Sequence, residues 1–334
     1  MRPTLSGRWL SWLAAVLWLA SVCGPRMAAA DEPADDADAS WRDRLYTPTY
    51  LTQLGDTWFI VVCWHHRILF HDGPEPDADL SNWRTMDEEL AGPHSIAWDG
   101  ELYVVDDTGR HSLKTFRRTE DGSGFERVQS IDGLGQRTHR VHYCEDTEAF
   151  YVLSSNSQDL YKFVREGWEL KLEYHRPLAF LEGVYTRSFT LHEGHMYFTA
   201  GPGVIKARYQ DDSYEVVARY PVPRQLAGMN DVFPASDGWW YVTATPQAIV
   251  RTRDLASLAD GDFEDLQQPL GFRGTPYYLF EHEGRLWVPQ ITQHSGIVSF
   301  RLEPEGGELG DRRVLFDFGP PTAADRERVA EAPR

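Results

Sequence analysis

GPHSIAWDGELYVVDDTGRHSLKTF, residues 92–116, is the stretch from which the rest of the chain can be read. His94 to Trp98 forms one short apolar run and Leu102 to Val105 a second. Between them lies Asp99-Gly100, a pair that tolerates the positive φ of a two-residue hairpin turn. Leu113 to Phe116 supplies a third strand after the two aspartates Asp106 and Asp107. One such unit exposes edges and apolar faces that it cannot cover alone, so neighbouring copies are expected.

The copies are there. The aromatic residue of each second strand sets the register at Phe59, Tyr103, Tyr151, Tyr197, Tyr241 and Trp287, at intervals of 44, 48, 46, 44 and 46 residues. A fourth strand follows in every unit: Asn82 to Met86, Phe125 to Ile131, Trp168 to Tyr174, Tyr214 to Tyr220, Phe263 to Gln267 and Arg312 to Phe318. A period in this range, built from short apolar strands and polar turns with no long amphipathic helix, predicts an all-β fold. It is a six-bladed β-propeller of four-stranded antiparallel blades over residues 49–319.

Outside the repeats the composition changes. Residues 1–30 carry Arg2 and Arg8, an apolar run from Leu10 to Val22 and a small-residue end, Met27-Ala-Ala-Ala30, which is the pattern of a signal peptide cleaved after Ala30. The apolar run is shorter than the ~20 residues a membrane-spanning helix needs. A secreted or periplasmic protein without a membrane span in the mature chain is therefore expected. Residues 31–48 begin with five acids in ten positions and read as an acidic leader, and residues 320–334 as a charged tail.

Removing residues 1–30 takes away Arg2, Arg8 and Arg26 and no acid, leaving 30 of 33 basic against 51 acidic side chains, a formal charge of −21. Nucleic acid is not the partner of such a surface. Cys63 and Cys144 fall in different repeats, which argues against a bridge between them even in an oxidising compartment.

In a propeller the inner strands start around one mouth of the central channel. Aligned there, the strand starts give a first column of Thr49, His94, His139, Arg187, Asn230 and Pro276, and a second of Tyr50, Ser95, Arg140, Ser188, Asp231 and Tyr277. So many polar groups facing a concave axis point to a small-molecule or anionic ligand in the channel. His94 and His139 can exchange protons near neutrality. Arg187 and Arg140 can grip a carboxylate or phosphate, and Asn230 and Asp231 can offer oxygens to a hard cation such as calcium.

Met229-Asn-Asp-Val-Phe and Pro93-His94-Ser95-Ile96 resemble strand starts of six-bladed propellers in the paraoxonase, gluconolactonase and strictosidine synthase-like superfamily. That resemblance implies calcium on Asn230, with Asp231 beside it, and an acid-base role for His94. The first blade has Thr49-Tyr50 where those enzymes contribute an acid.

Three activities follow as expectations. One is a metal-assisted lactonase or esterase with His94, His139, Arg187 and Tyr277 as catalytic residues and Asn230 and Asp231 as metal ligands. Another is a lyase on an anionic polysaccharide, in which arginine neutralises the carboxylate while His or Tyr moves the proton. The third is a non-catalytic propeller that binds a small anion or a protein.

Overall fold

Second strands such as Trp58-Phe-Ile-Val-Val62 are apolar at consecutive positions because both faces of every blade are covered. In the computed structural model, which describes residues 40–209, 212–303, 307 and 309–331, six antiparallel sheets follow one another along the chain. Five hold four strands in sequence order. All six register aromatics lie in second strands, at Thr57–Val62, Tyr103–Asp107, Ala149–Ser154, His195–Ala200, Trp240–Ala244 and Arg285–Ile291. The six-bladed propeller is the observed architecture.

Six apolar clusters correspond to the six blade-to-blade interfaces. Strand alternation sorts the side chains between them. Phe59 and Val61 pack with Ile96, Tyr103 and Phe116 of blade 2, while Trp58, Ile60 and Val62 pack with Trp287, Ile297 and Phe316 of blade 6. Phe150 and Val152 likewise face blade 2, and Tyr151 and Leu153 face blade 4. Each such Val, Leu, Ile or Phe contributes about 1.5–3 kcal/mol when fully buried. The hairpin forms, but its turn is one residue further on than expected: strand pairing ends at Trp98 and Tyr103, Gly100, at φ +102°, and Glu101 are central, and Asp99 flanks them, its carboxylate accepting from the backbone N–H of Glu101 at 3.0 Å and Leu102 at 2.8 Å.

The ring closes without an exchanged strand. The outermost strand of blade 6, Gly310–Gly319, comes from the same repeat as its neighbours. Trp41–Asp43 is a 3₁₀ turn rather than a strand, and it leads into Leu45, which is fully buried in the blade 6–blade 1 core. Residues 41–48 thus belong to the packed fold rather than to a leader, because the seam needs their apolar side chains. The tail holds a helix, Ala323–Ala330, started by a capping box between Thr322 and Asp325. It docks on blade 1 through Asp325, which meets His65 at 2.9 Å and Arg44 at 3.4 Å. The proposed signal segment and residues 31–39 lie outside the described residues. Among the described residues no helix is long and apolar enough to cross a membrane.

The first strand of blade 6 is broken in a way that shapes the channel. Thr275–Pro276 and Phe280–His282 both pair with Arg285–Ile291; Tyr277 N–H still reaches Pro289 O of that strand at 3.0 Å, and Tyr278 and Leu279 then leave the ladder. Tyr278 N–H bonds instead to Thr49 O in blade 1 at 3.3 Å, and Leu279 N–H to the Asp231 carboxylate in blade 5 at 2.9 Å. This frees the Tyr278 side chain to cross the axis towards blade 3.

Candidate functional site

His94 and Ser95 stand just ahead of their strand, Ile96–Trp98. Their N–H groups are not in the ladder; they bond to the Asp106 carboxylate at 3.0 and 2.6 Å. Asp106 also accepts from the hydroxyls of Ser95 and Thr108, each at 2.7 Å. The carboxylate therefore fixes where the strand begins and where His94 points.

At the mouth, the His94 and His139 rings lie face to face with centroids 3.9 Å apart and planes inclined by 31°. Tyr277 is 6.1 Å from His94. Tyr185 meets His139 edge-on at 6.1 Å and carries the Arg187 guanidinium 4.9 Å above its ring. The structure thus gathers His94, His139, Arg187 and Tyr277, the four expected catalytic candidates, out of the twelve residues in the aligned strand starts. It adds Arg137, an exposed residue in the left-handed region (φ +64°) two positions before His139. Neither Arg137 nor Arg187 has a carboxylate within ion-pair distance among the described residues.

Both histidines are neutral. Burial, assisted by the charges of Arg137 and Arg187, lowers His94 to about 3. Burial, the neighbouring His94 and the same two arginines hold His139 well below its ordinary value. Burial also raises the Tyr277 phenol and the Cys63 thiol, whose Sγ lies 3.7 Å from His94 Nε2. Cys63 and His94 are a neutral contact, not a thiolate–imidazolium pair, so Cys63 is not activated as a nucleophile. Cys63 and Cys144 are both free.

One layer deeper the polar side chains stitch blades together. Ser95 Oγ accepts from Val141 N–H at 3.0 Å, Ser188 Oγ donates to Asp231 at 3.0 Å, and Thr243 Oγ1 donates to Tyr277 O at 2.9 Å. Arg140 lies in this layer rather than at the mouth, sandwiched 4.0 Å from the Tyr278 ring and 4.7 Å from that of Tyr50. Burial works against its charge, but Asp231 and the tyrosines outweigh it and the net shift is upward. Arg140 is therefore an internal counter-charge and not an anion grip.

Asn230 and Asp231 do not suit a calcium ion. The Asn230 amide donates to Pro276 O at 2.9 Å and accepts from Thr245 at 3.2 Å. The two Asp231 oxygens accept from Ser188 and from Leu279 N–H, and burial raises the Asp231 carboxyl. A hard cation needs several free oxygens converging on one point, and here they are turned to neighbouring blades. Among the described residues no cluster of three or more His, Cys, Asp or Glu could hold a metal. A bare cation would also sit beside Arg140 or Arg187.

The loops after the second strands serve the backbone. His66 and His111 adopt left-handed φ values of +58° and +55° at turn ends, and Gln290 accepts from Arg273 and Gly274 N–H at 2.9 and 3.0 Å. Trp64 is 37% exposed and packs edge-on against Tyr46. Cavities of about 700 and 790 Å³ open at the blade 6–blade 1 seam and at the far end of blades 1 and 2, and none of the mouth residues lines them. Sequence reasoning missed Arg137, Thr108 and Tyr278. Only Tyr278 carried a signal, as the second of two tyrosines at a strand start.

No family model and no curated protein matches the chain. Solved structures do. A candidate 6-phosphogluconolactonase from Bacteroides fragilis superposes with a TM-score of 0.58 at 15% identity, covering 82% of this chain and 83% of the other. A second, from Bacteroides uniformis, gives 0.57 at 13% identity over 81% and 86%. A protein from Lactobacillus plantarum gives 0.56 at 12% over 82% and 85%. At these identities the likeness is one of fold, and it does not extend to the superfamily suggested by the strand starts.

Proposed function

We propose that this propeller binds a small anionic molecule at the mouth of its channel, held by Arg137 and Arg187 over the His94–His139 pair. One observation carries the reading: beside two stacked, neutral histidines stand Arg187, on the Tyr185 ring that meets His139, and Arg137, neither with a carboxylate within ion-pair distance among the described residues. At the mouth an oxyanion would gain charge-assisted hydrogen bonds from both arginines. Neutral imidazoles add no further positive charge beside the arginines, and each can accept a hydrogen bond from a ligand hydroxyl. Export through a cleaved segment 1–30 belongs to the same proposal, on the strength of its signal-peptide pattern; mature protein isolated from its host should begin at Asp31.

A second reading is supported by the structural neighbours described as candidate 6-phosphogluconolactonases. In it the ligand is an anionic lactone. Water adds to the ester carbonyl, the ring C–O bond breaks, and His139 takes the water's proton and returns it to the leaving alkoxide. With His94 at about 3 in the free site, that residue is too weakly basic for the task at neutral pH. His139 depends on the ligand's charge to offset Arg137 and Arg187.

Thermal unfolding with added inorganic phosphate or gluconate tests the binding reading. Ligand at 100 times its Kd stabilises the folded protein by about 2.7 kcal/mol, and an unchanged midpoint for every anion tried would sink the proposal. Incubation with 6-phosphogluconolactone separates the second reading, since binding without turnover leaves only the first. A new ultraviolet absorbance on incubation with a uronate polymer would instead favour a lyase.

A further inference from the structure

The ring nitrogen that His139 offers at the mouth is fixed by what holds its other side. The Tyr278 hydroxyl, reaching across from blade 6, has one proton to give and faces two backbone carbonyls, Arg187 O at 2.8 Å and His139 O at 3.4 Å. Carbonyls only accept, so giving the proton to Arg187 O and taking one from Nδ1 makes two hydrogen bonds, where donation to Nδ1 would make one. Towards His139 Nδ1, 2.7 Å away, the same oxygen must accept. Nδ1 therefore carries the ring's proton and Nε2 is left with a lone pair.

No side chain among the described residues donates to that lone pair, and although His139 is 1% exposed, Nε2 is not among the side-chain atoms sealed from solvent without a partner. His94 is fixed in the same tautomer. Thr108 donates to Asp106 at 2.7 Å and so accepts from His94 Nδ1 at 2.9 Å. The Nε2 of His94, however, already faces the Cys63 thiol. His139 Nε2 is thus the open acceptor, beside two cations.

We propose that the mouth selects oxyanions that carry an O–H group, such as hydrogen phosphate or a hydroxy acid, over those that do not, such as sulfate. The inference rests on the anion-binding reading above and adds to it a rule of choice. An O–H donor satisfies Nε2 while the remaining oxygens take the arginines. Sulfate would place an oxygen lone pair against the nitrogen lone pair and strand a buried acceptor, and buried polar groups left unpaired are what make such discrimination large. Tyr278 is then a positioning residue: it never meets the ligand, yet it decides that Nε2 accepts.

Calorimetric titration of the full-length protein at pH 7 with inorganic phosphate and with sulfate reads this directly. Phosphate is expected to bind about tenfold tighter or more. Equal affinities would overturn the selection rule while leaving the anion site standing; binding of neither would overturn both. Tyr278→Phe removes the acceptor for Nδ1–H, so the ring proton can move to Nε2 and the phosphate-to-sulfate ratio should fall towards one. A ratio unchanged in a folded variant contradicts the positioning role. Should that variant fail to fold, long-range ¹H–¹⁵N spectra of the unaltered protein report the His139 tautomer, and a proton on Nε2 would overturn the proposal.

Discussion

Two layers of the same channel, one residue apart along the strands, treat their polar atoms in opposite ways. In the deeper layer Ser95, Asp106, Ser188 and Asp231 are joined to donors or acceptors of their own or adjacent blades. At the mouth, among the described residues, Arg137 and Arg187 have no carboxylate within ion-pair distance, and no side chain donates to His139 Nε2. Residue type does not separate the layers, since each has an arginine near tyrosines. Saturation does. Polar groups closed on themselves hold blades together, and groups left open beside them are available to a ligand.

Breaking the deeper layer should cost the most. Asp231→Ala strands Ser188 and Leu279 N–H and leaves the buried Arg140 without its nearest compensating charge, so a loss of about 3–5 kcal/mol is expected. Denaturant unfolding checks it, and a loss below about 1 kcal/mol would mean that this layer is wetter than its bonds imply.

The histidines sharpen the comparison through pH. His94 sits at about 3 in the folded protein against an ordinary 6.5. Between those values the unfolded chain holds a proton that the native one does not, so stability is full above about 6.5 and falls as the pH drops towards 3. The slope is at most about 1.4 kcal/mol per pH unit for this residue. Asp106, raised by burial to about 7, has the opposite slope over part of the range, so the proper measurement is a difference. His94→Asn should lose less stability than the unaltered protein on acidification from pH 6.5 to 4; parallel curves would show that His94 is already solvated. A smaller effect is expected from Cys63→Ala, about 1 kcal/mol of stability from lost packing, with anion affinity unchanged because the thiol is neutral.

Much of the fold was legible because burial on both faces leaves a periodic trace. The register aromatics, the Asp-Gly turn and the fourth strands carry it in the residues themselves. The mouth was legible only in part. Aligned strand starts brought out His94, His139, Arg187 and Tyr277, yet the same alignment placed Arg140, Asn230 and Asp231 on equal terms with them. A column of residue types does not reveal which polar atoms are already bonded. Asn230 and Asp231 look like cation ligands until Pro276, Thr245 and Leu279 are seen to occupy them. Arg137 lies in a turn outside the column, and the role of Tyr278 depends on a break in a strand that its sequence does not announce.

The most direct test is a calorimetric titration with inorganic phosphate on the unaltered protein and on the Arg137→Ala/Arg187→Ala double variant, at low ionic strength. Neither side chain has an ion-pair partner among the described residues, so folding stability should stay within about 0.5 kcal/mol while affinity falls by about a hundredfold or beyond detection. Phosphate binding that survives the double substitution intact would contradict the account.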